Sequence, residues 1–186
     1  MRITKRQLIV GSITLTTLGA GAAFATRPAQ GQSVSVSQFD VADVNHDTPD
    51  GMIQEITVTL NTVYKFDATV DIDTVALTLK AGRQAESATE IAAKDVAVDA
   101  QTDSGTTTLE GPLSYAADYQ IADFRPGAAG ESISKPVVFV LEIALRQNGS
   151  TLAEASQQTS STVNVAQQEN VLSVSVGGDG SIAVTE

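Results

Sequence analysis

The stretch from Pro136 to Ala155 constrains the chain more than any other. In Pro136-Val137-Val138-Phe139-Val140-Leu141-Glu142-Ile143-Ala144-Leu145, the side chains of Phe139, Leu141, Ile143 and Leu145 fall on one face of an extended backbone, because successive side chains alternate sides. Val138 and Val140 on the other face imply cover there too. Arg146-Gln147-Asn148-Gly149-Ser150 then supplies an Asn-Gly pair, which tolerates the positive φ angles of a tight turn, and Leu152 to Ala155 runs back. This is a β-hairpin, and a strand so apolar requires a neighbour on each edge.

The rest of the chain is consistent with a sheet. Val34 and Val36, then Phe39 and Val41, alternate near the start, and a turn-rich segment follows from Asp43 to Gly51. Ile56, Val58 and Leu60 predict a strand that continues towards Tyr64 and Phe66, and Val75, Leu77 and Leu79 predict another. Ser87-Ala88-Thr89-Glu90 has the form of a capping box for one helical turn into Ile91 and Ala92, after which Val96, Val98 and Ala100 alternate as a strand. Gly105 to Leu109 reads as extended and Gly111-Pro112 as a break. Tyr115 to Phe124 reads as a crossover holding Tyr119, Ile121 and Phe124 against one end of the core. Val163 and Val165, then Leu172, Val174 and Val176, and finally Ile182 and Val184, complete the alternation, with Gly177 to Gly180 as a tight turn. Eight to ten short strands without amphipathic helices predict an all-β fold, a single immunoglobulin-like antiparallel β-sandwich over residues 33–186.

The start of the chain has a different character. Met1 to Arg6 is basic, Leu8 to Ala25 is moderately apolar, and Ala23-Phe24-Ala25 has the small-x-small form of a signal-peptidase site. Residues 1–25 are read as a hydrophobic export signal, with an uncleaved membrane anchor as the alternative, and residues 26–32 as a linker. Thr4-Lys5-Arg6-Gln7-Leu8-Ile9 resembles a twin-arginine signal with lysine in place of the first arginine. Either reading carries the acidic part out of the cytoplasm, and the membrane is touched only through an uncleaved N-terminal segment.

Every acidic residue lies at or after Asp40, so removal of the first 25 or more residues leaves 22 acids against eight or seven bases, a formal charge of about −14 to −15. That imbalance repels nucleic acid and anionic lipid. It also keeps a protein soluble where salt screens self-repulsion, and an acid-rich, lysine-poor chain with many Ala, Val and Thr has the usual halophile pattern. The chain has no cysteine, which excludes disulfides, thiolate metal sites, iron-sulfur clusters and a thiol nucleophile. It has no tryptophan either, which argues against carbohydrate binding on large aromatic platforms.

Several constellations bear on chemistry. Asp43-Val44-Asn45-His46-Asp47 places Asp43, Asn45 and Asp47 at the first, third and fifth positions of a calcium loop. Thr48 then stands where that loop needs glycine, and Gln54 where it needs a bidentate acid. His46 is the single histidine, and no Gly-x-Ser-x-Gly elbow accompanies it. The glycine-rich turns at 127–130 and 177–180 lack the Lys-Ser/Thr and helix of a phosphate loop. Asn148-Gly149-Ser150 is an N-glycosylation acceptor at a hairpin tip. Ser33-Val34-Ser35-Val36 and Ser173-Val174-Ser175-Val176 are uncharged, β-prone and free of proline, so Val34, Val36, Val174 and Val176 mark candidate strand-exchange segments.

The signal ending Leu18-Gly19-Ala20-Gly21-Ala22, Asp50-Gly51 followed by Ile56-Thr57-Val58-Thr59-Leu60, and Ala122-Asp123-Phe124-Arg125-Pro126 ahead of the hairpin together resemble small exported surface proteins of haloarchaea with no assigned activity. That resemblance implies a β-sandwich without catalytic residues. A looser similarity is to extracellular fibre subunits of the camelysin and TasA type, from which Thr26-Arg27-Pro28 departs, standing where those carry an aromatic and Ser-Asp sequence. The expectation is a non-enzymatic extracellular or cell-surface structural protein, possible as a filament subunit, whose partners are itself or other cell-envelope proteins. The alternative is a calcium-dependent surface binding module; an exported hydrolase comes third.

Overall fold

The computed structural model describes residues 25–28, 33–37, 39, 41, 43–169, 171–175 and 181–185. The all-β expectation holds. The strands are β1 (Ala25–Pro28), β2 (Ser33–Ser37), β3 (Val44–Thr48), β4 (Thr57–Gly82), β5 (Thr89–Pro112), β6 (Ser132–Gln147), β7 (Ser150–Gln167), β8 (Val171–Ser175) and β9 (Ser181–Thr185). Three short 3-10 turns, Ala85–Ser87, Leu113–Tyr115 and Ile121–Phe124, are the only helical elements among the described residues.

β4 is 26 residues long and joins two segments that the alternation presents as separate strands. Its inward-facing residues are even-numbered from Val58 to Ile72 and odd-numbered from Val75 to Ala81. The phase changes between Ile72 and Val75, where Asp73 of β4 stands against Val98 and Asp99 of β5, and a larger mismatch comes just before it. Asp67 pairs with Thr102 and Ile72 with Ala100, so residues 68–71 of β4 stand against the single residue Gln101 of β5. Such an excess bends the strand that carries it. The bend turns the β4–β5 ribbon back on itself: the Lys94 ammonium donates to the Thr108 carbonyl (3.4 Å), and a Cβ at Gly111 would overlap the Ile91 carbonyl. Gly111 therefore does not interrupt β5, which continues to Pro112; it lets two lengths of the same strand approach.

The bend divides the second edge of β4. β2 pairs with residues 63–67 and β6 with residues 74–82, both antiparallel. β6 and β7 form the expected hairpin, with Asn148 at φ 50° and Gly149 at φ 76° in its two-residue turn. On the far edge of β7, β1 pairs antiparallel with residues 153–156 and β3 pairs parallel with residues 163–167. The segment from β2 to β3 thus leaves the edge of β4 and arrives at the edge of β7, across the mouth of a curled, half-barrel sheet of seven strands. β1 straddles the expected boundary between the export signal and the linker, with Ala25 ending the first and Thr26 to Pro28 in the second. β8 and β9 form a separate two-stranded ribbon, and the turn expected at Gly177–Gly180 lies outside the described residues.

The core fills the space inside the curl. Val58, Leu60, Tyr64 and Phe66 from one half of β4 join Val75, Leu77 and Leu79 from the other, with Phe139, Leu141, Ile143 and Leu145 of β6 and Val163 and Val165 of β7. Each fully buried aliphatic side chain contributes roughly 1.5–3 kcal/mol. Ala153 and Ala155 stand opposite Leu145 and Ile143, a small residue facing a large one across the hairpin. The core also encloses Thr62, fully buried with its hydroxyl unpaired among the described residues.

The helical turn expected to run from Ser87 into Ile91 and Ala92 lies earlier, at Ala85–Ser87. Ser87 does not cap a helix; its hydroxyl donates to the Asp118 carboxylate (2.5 Å), and Thr89 already pairs with Ala81. Long-range pairing here overrides a local capping pattern.

Two substitutions test this architecture by chemical denaturation. Gly111→Ala is expected to cost ~3 kcal/mol or more, because backbone stands where the methyl would go; Gly149→Ala, with open space around it and only its positive φ to strain, is expected to cost about 1 kcal/mol. Thr62→Val keeps the shape and removes the unpaired hydroxyl, and is expected to raise stability by ~1 kcal/mol.

Candidate functional site

β3 carries the residues that suggested a calcium loop, and it is extended where such a loop would coil. Asp43, Asn45 and Asp47 are exposed on one side of the strand, and alternate residues of a strand are about 6.6 Å apart along the chain. Calcium draws its oxygens to about 2.3–2.6 Å, so oxygens spread along the strand in this way do not converge on one ion. Two of the three are already engaged by β7: the Asp43 carboxylate accepts the Thr162 N–H (2.6 Å), and the Asn45 carbonyl oxygen accepts from the Asn164 carboxamide (3.0 Å). Asp50 serves the following turn, accepting from the Thr48 hydroxyl (3.3 Å) and the Met52 N–H (3.0 Å). Among the described residues no group of three His, Cys, Asp or Glu side chains is gathered as a metal site. The pattern has become the polar outer face of a strand.

His46 is half-buried opposite Val165. Alternation turns its ring to the other face of β3 from Asp47, so the two do not form part of a catalytic triad. Val34 and Val36 of β2 are buried, at 5% and 4% exposed, in the core of their own chain. Val174 of β8 pairs with Ile182 of β9, and Val176 lies outside the described residues. Asn148 is exposed at the tip of the β6–β7 hairpin, where its backbone N–H donates to the Asp73 carboxylate (2.5 Å).

The outer face of β4, β6 and β7 carries a shallow depression of about 390 Å³ lined by Ala76, Ala144, Glu142, Arg146 and Glu154 among others. Its charges are partly paired: the Lys80 ammonium lies 2.6 Å from the Glu142 carboxylate, and the Arg146 guanidinium 3.9 Å from that of Asp95.

The end of the core near the 3-10 turns is held by side chains bonding to backbone. Asp118 accepts the Arg83 N–H (3.0 Å) as well as the Ser87 hydroxyl, which fixes the turn between β4 and β5. The Tyr119 hydroxyl donates to the Pro136 carbonyl, its ring meets Phe124 at 5.4 Å, and the Arg83 guanidinium lies over it at 5.7 Å. Arg125 donates twice to the Ile53 carbonyl (3.2 and 2.9 Å). Burial raises the Tyr119 phenol above its ordinary pKa, while the Ser87 and Arg83 hydrogen bonds hold the Asp118 carboxyl below the usual aspartate value. Sequence reasoning places Tyr119 and Phe124 against the core but misses Asp118, whose partners lie 31 and 35 residues away.

No protein-family model matches the chain, and no curated protein sequence does either.

Because the Asp118 pKa is lower folded than unfolded, its contribution to stability is present above about pH 4, the unfolded aspartate value, and is lost as pH falls through the folded one. Asp118→Asn should therefore flatten part of the loss of thermal midpoint on acidification below about pH 4 and change little at neutral pH beyond a constant offset. An unchanged acid limb in a pH series of melting curves would count against the clamp.

Proposed function

We propose that the chain is a non-enzymatic extracellular or cell-surface structural protein that is exported by residues 1–25 and assembles with copies of itself by exchange of its first strands. The observation that carries this reading is how those strands are held. β1, β2 and β3 pair only along the edges of β7 and β4, which belong to the rest of the sheet. A segment near one end of the chain, attached through sheet edges, can occupy the same edge of a neighbouring copy without new chemistry.

In this reading the half of the ribbon that pairs with β2 forms one layer of an immunoglobulin-like sandwich, and the half that pairs with β6 forms the second with β6 and β7. The long outer edge of β5 is not the route of assembly: Glu90, Lys94, Asp95, Asp99, Asp103 and Glu110 distribute charge along it, the usual guard of an exposed edge. A calcium-dependent module has weaker support, since β7 already holds Asp43 and Asn45. The haloarchaeal reading is supported by charge: the 22 acids contrast with two ion pairs among the described residues. Screening of the remaining repulsion predicts a thermal midpoint that rises between dilute buffer and molar potassium chloride.

The chain's lack of cysteine permits a direct test of exchange. Ser35 and Lys65 are exposed and face each other across β2 and β4, with the Ser35 hydroxyl 3.4 Å from the Lys65 carbonyl. Oxidised Ser35→Cys/Lys65→Cys protein should give a ladder of covalent oligomers on non-reducing gels when concentrated in molar salt, and a monomer band after reduction. Cross-links confined to single chains at every concentration would remove strand exchange through β2.

A further inference from the structure

We infer that Asn148 carries an N-linked glycan, an inference that rests on the export reading above. The chain has five asparagines, and only Asn148 is followed at the second position by Ser or Thr; the others begin Asn45-His46-Asp47, Asn61-Thr62-Val63, Asn164-Val165-Ala166 and Asn170-Val171-Leu172. Among the described asparagines the fold makes the same selection independently. Asn61 accepts the Thr108 hydroxyl (2.6 Å), and the Asn45 and Asn164 carboxamides bond to each other across β3 and β7. Asn170 lies outside the described residues. At Asn148 it is the backbone N–H that is used, in the bond to Asp73, while the carboxamide makes no hydrogen bond to the described residues.

The surroundings suit a large substituent. Asn148, Gly149 and Ser150 are all exposed, and nothing stands within 4 Å of where a Cβ would extend from Gly149. A glycan there costs no buried contact. The Asp73 bond holds the turn in place while the acceptor nitrogen points to no partner within the described chain.

The substrate class is an oligosaccharide carried on a polyprenyl phosphate or diphosphate. In the transfer, Asn148 Nδ2 forms a bond to the anomeric carbon and loses one proton to a base of the transferase. The bond from that carbon to the lipid phosphate oxygen breaks, and the phosphate leaves with the bonding pair. The Ser150 hydroxyl is the recognition group that the acceptor sequence requires. On the folded protein the saccharide stands at the end of the sheet where β4 bends, beside Asp73.

The experiment is intact-mass and peptide-fragmentation mass spectrometry of the protein recovered from the cells that make it, with Asn148→Gln, Ser150→Ala and Ser150→Thr variants alongside. The expected result is a saccharide mass on Asn148 of the exported chain, absent from Asn148→Gln and Ser150→Ala and kept by Ser150→Thr, which also shows that substitution at the tip leaves a folded protein. An exported chain, lacking residues 1–25, with an unmodified Asn148 overturns the inference and leaves export standing. A saccharide that persists in Asn148→Gln overturns it as well. A chain retained inside the cell with residues 1–25 intact and no saccharide overturns the export reading and this inference together.

Discussion

The bend in β4 is the constraint on which the other pairings depend. Four residues, 68–71, face one residue of β5, and this mismatch turns a long two-stranded ribbon into two short lengths that lie against each other. The alternation changes phase just after it, between Ile72 and Val75, where a second register shift lies, and on a flat ribbon the inward faces of 58–72 and 75–81 would point to opposite sides. With the bend, both apolar sets face one interior. Gly111 makes the close approach feasible by passing the Ile91 carbonyl, while Gly105 leaves room for the ring of its ladder partner Tyr64.

Closure of the interior depends on two different kinds of contact. Along the sides it is main-chain pairing, where β2 and β3 span from β4 to β7 and bring Val34, Val36, Phe39 and Val41 over the core. At the end it is side chains reaching backbone, with Asp118, Tyr119 and Arg125 each satisfying groups that no strand supplies. Irregular segments leave backbone donors and acceptors without ladder partners. These three side chains all belong to the crossover, residues 113–131, and tie it to the backbone of Arg83, Pro136 and Ile53, while its own backbone bonds lie within and beside its two 3-10 turns.

Local pattern was sufficient for much of this. The β6–β7 hairpin was legible to its turn residues, because Asn148-Gly149 carries its own backbone preference and the flanking alternation is strong. The Tyr119 and Phe124 anchors were legible because buried aromatics in a polar stretch have few other uses. The continuity of β4 was not, since Asp67-Ala68-Thr69-Val70-Asp71 reads equally as a turn and the alternation changes phase soon after it, between Ile72 and Val75. The calcium-like run at Asp43–Asp47 misled for the opposite reason: its ligand spacing also suits a strand with polar residues on one face, and the partner that decides between them, β7, is more than a hundred residues away. Ser87-Ala88-Thr89-Glu90 repeats the lesson, with Asp118 as the distant partner.

The parallel pairing of β3 with β7 has a consequence for the order in which the molecule is assembled. Val44 pairs with Val163 and Ala25 with Ser156, so the strands made first must wait for nearly the whole chain before their partners exist. The hairpins β4–β5 and β6–β7, by contrast, are neighbours in sequence and close small loops. Loop-closure entropy makes distant pairings slow relative to local ones. The folding route therefore runs from the middle outward, with the bent ribbon and the Asn-Gly hairpin meeting first and the N-terminal strands docking last onto edges already formed.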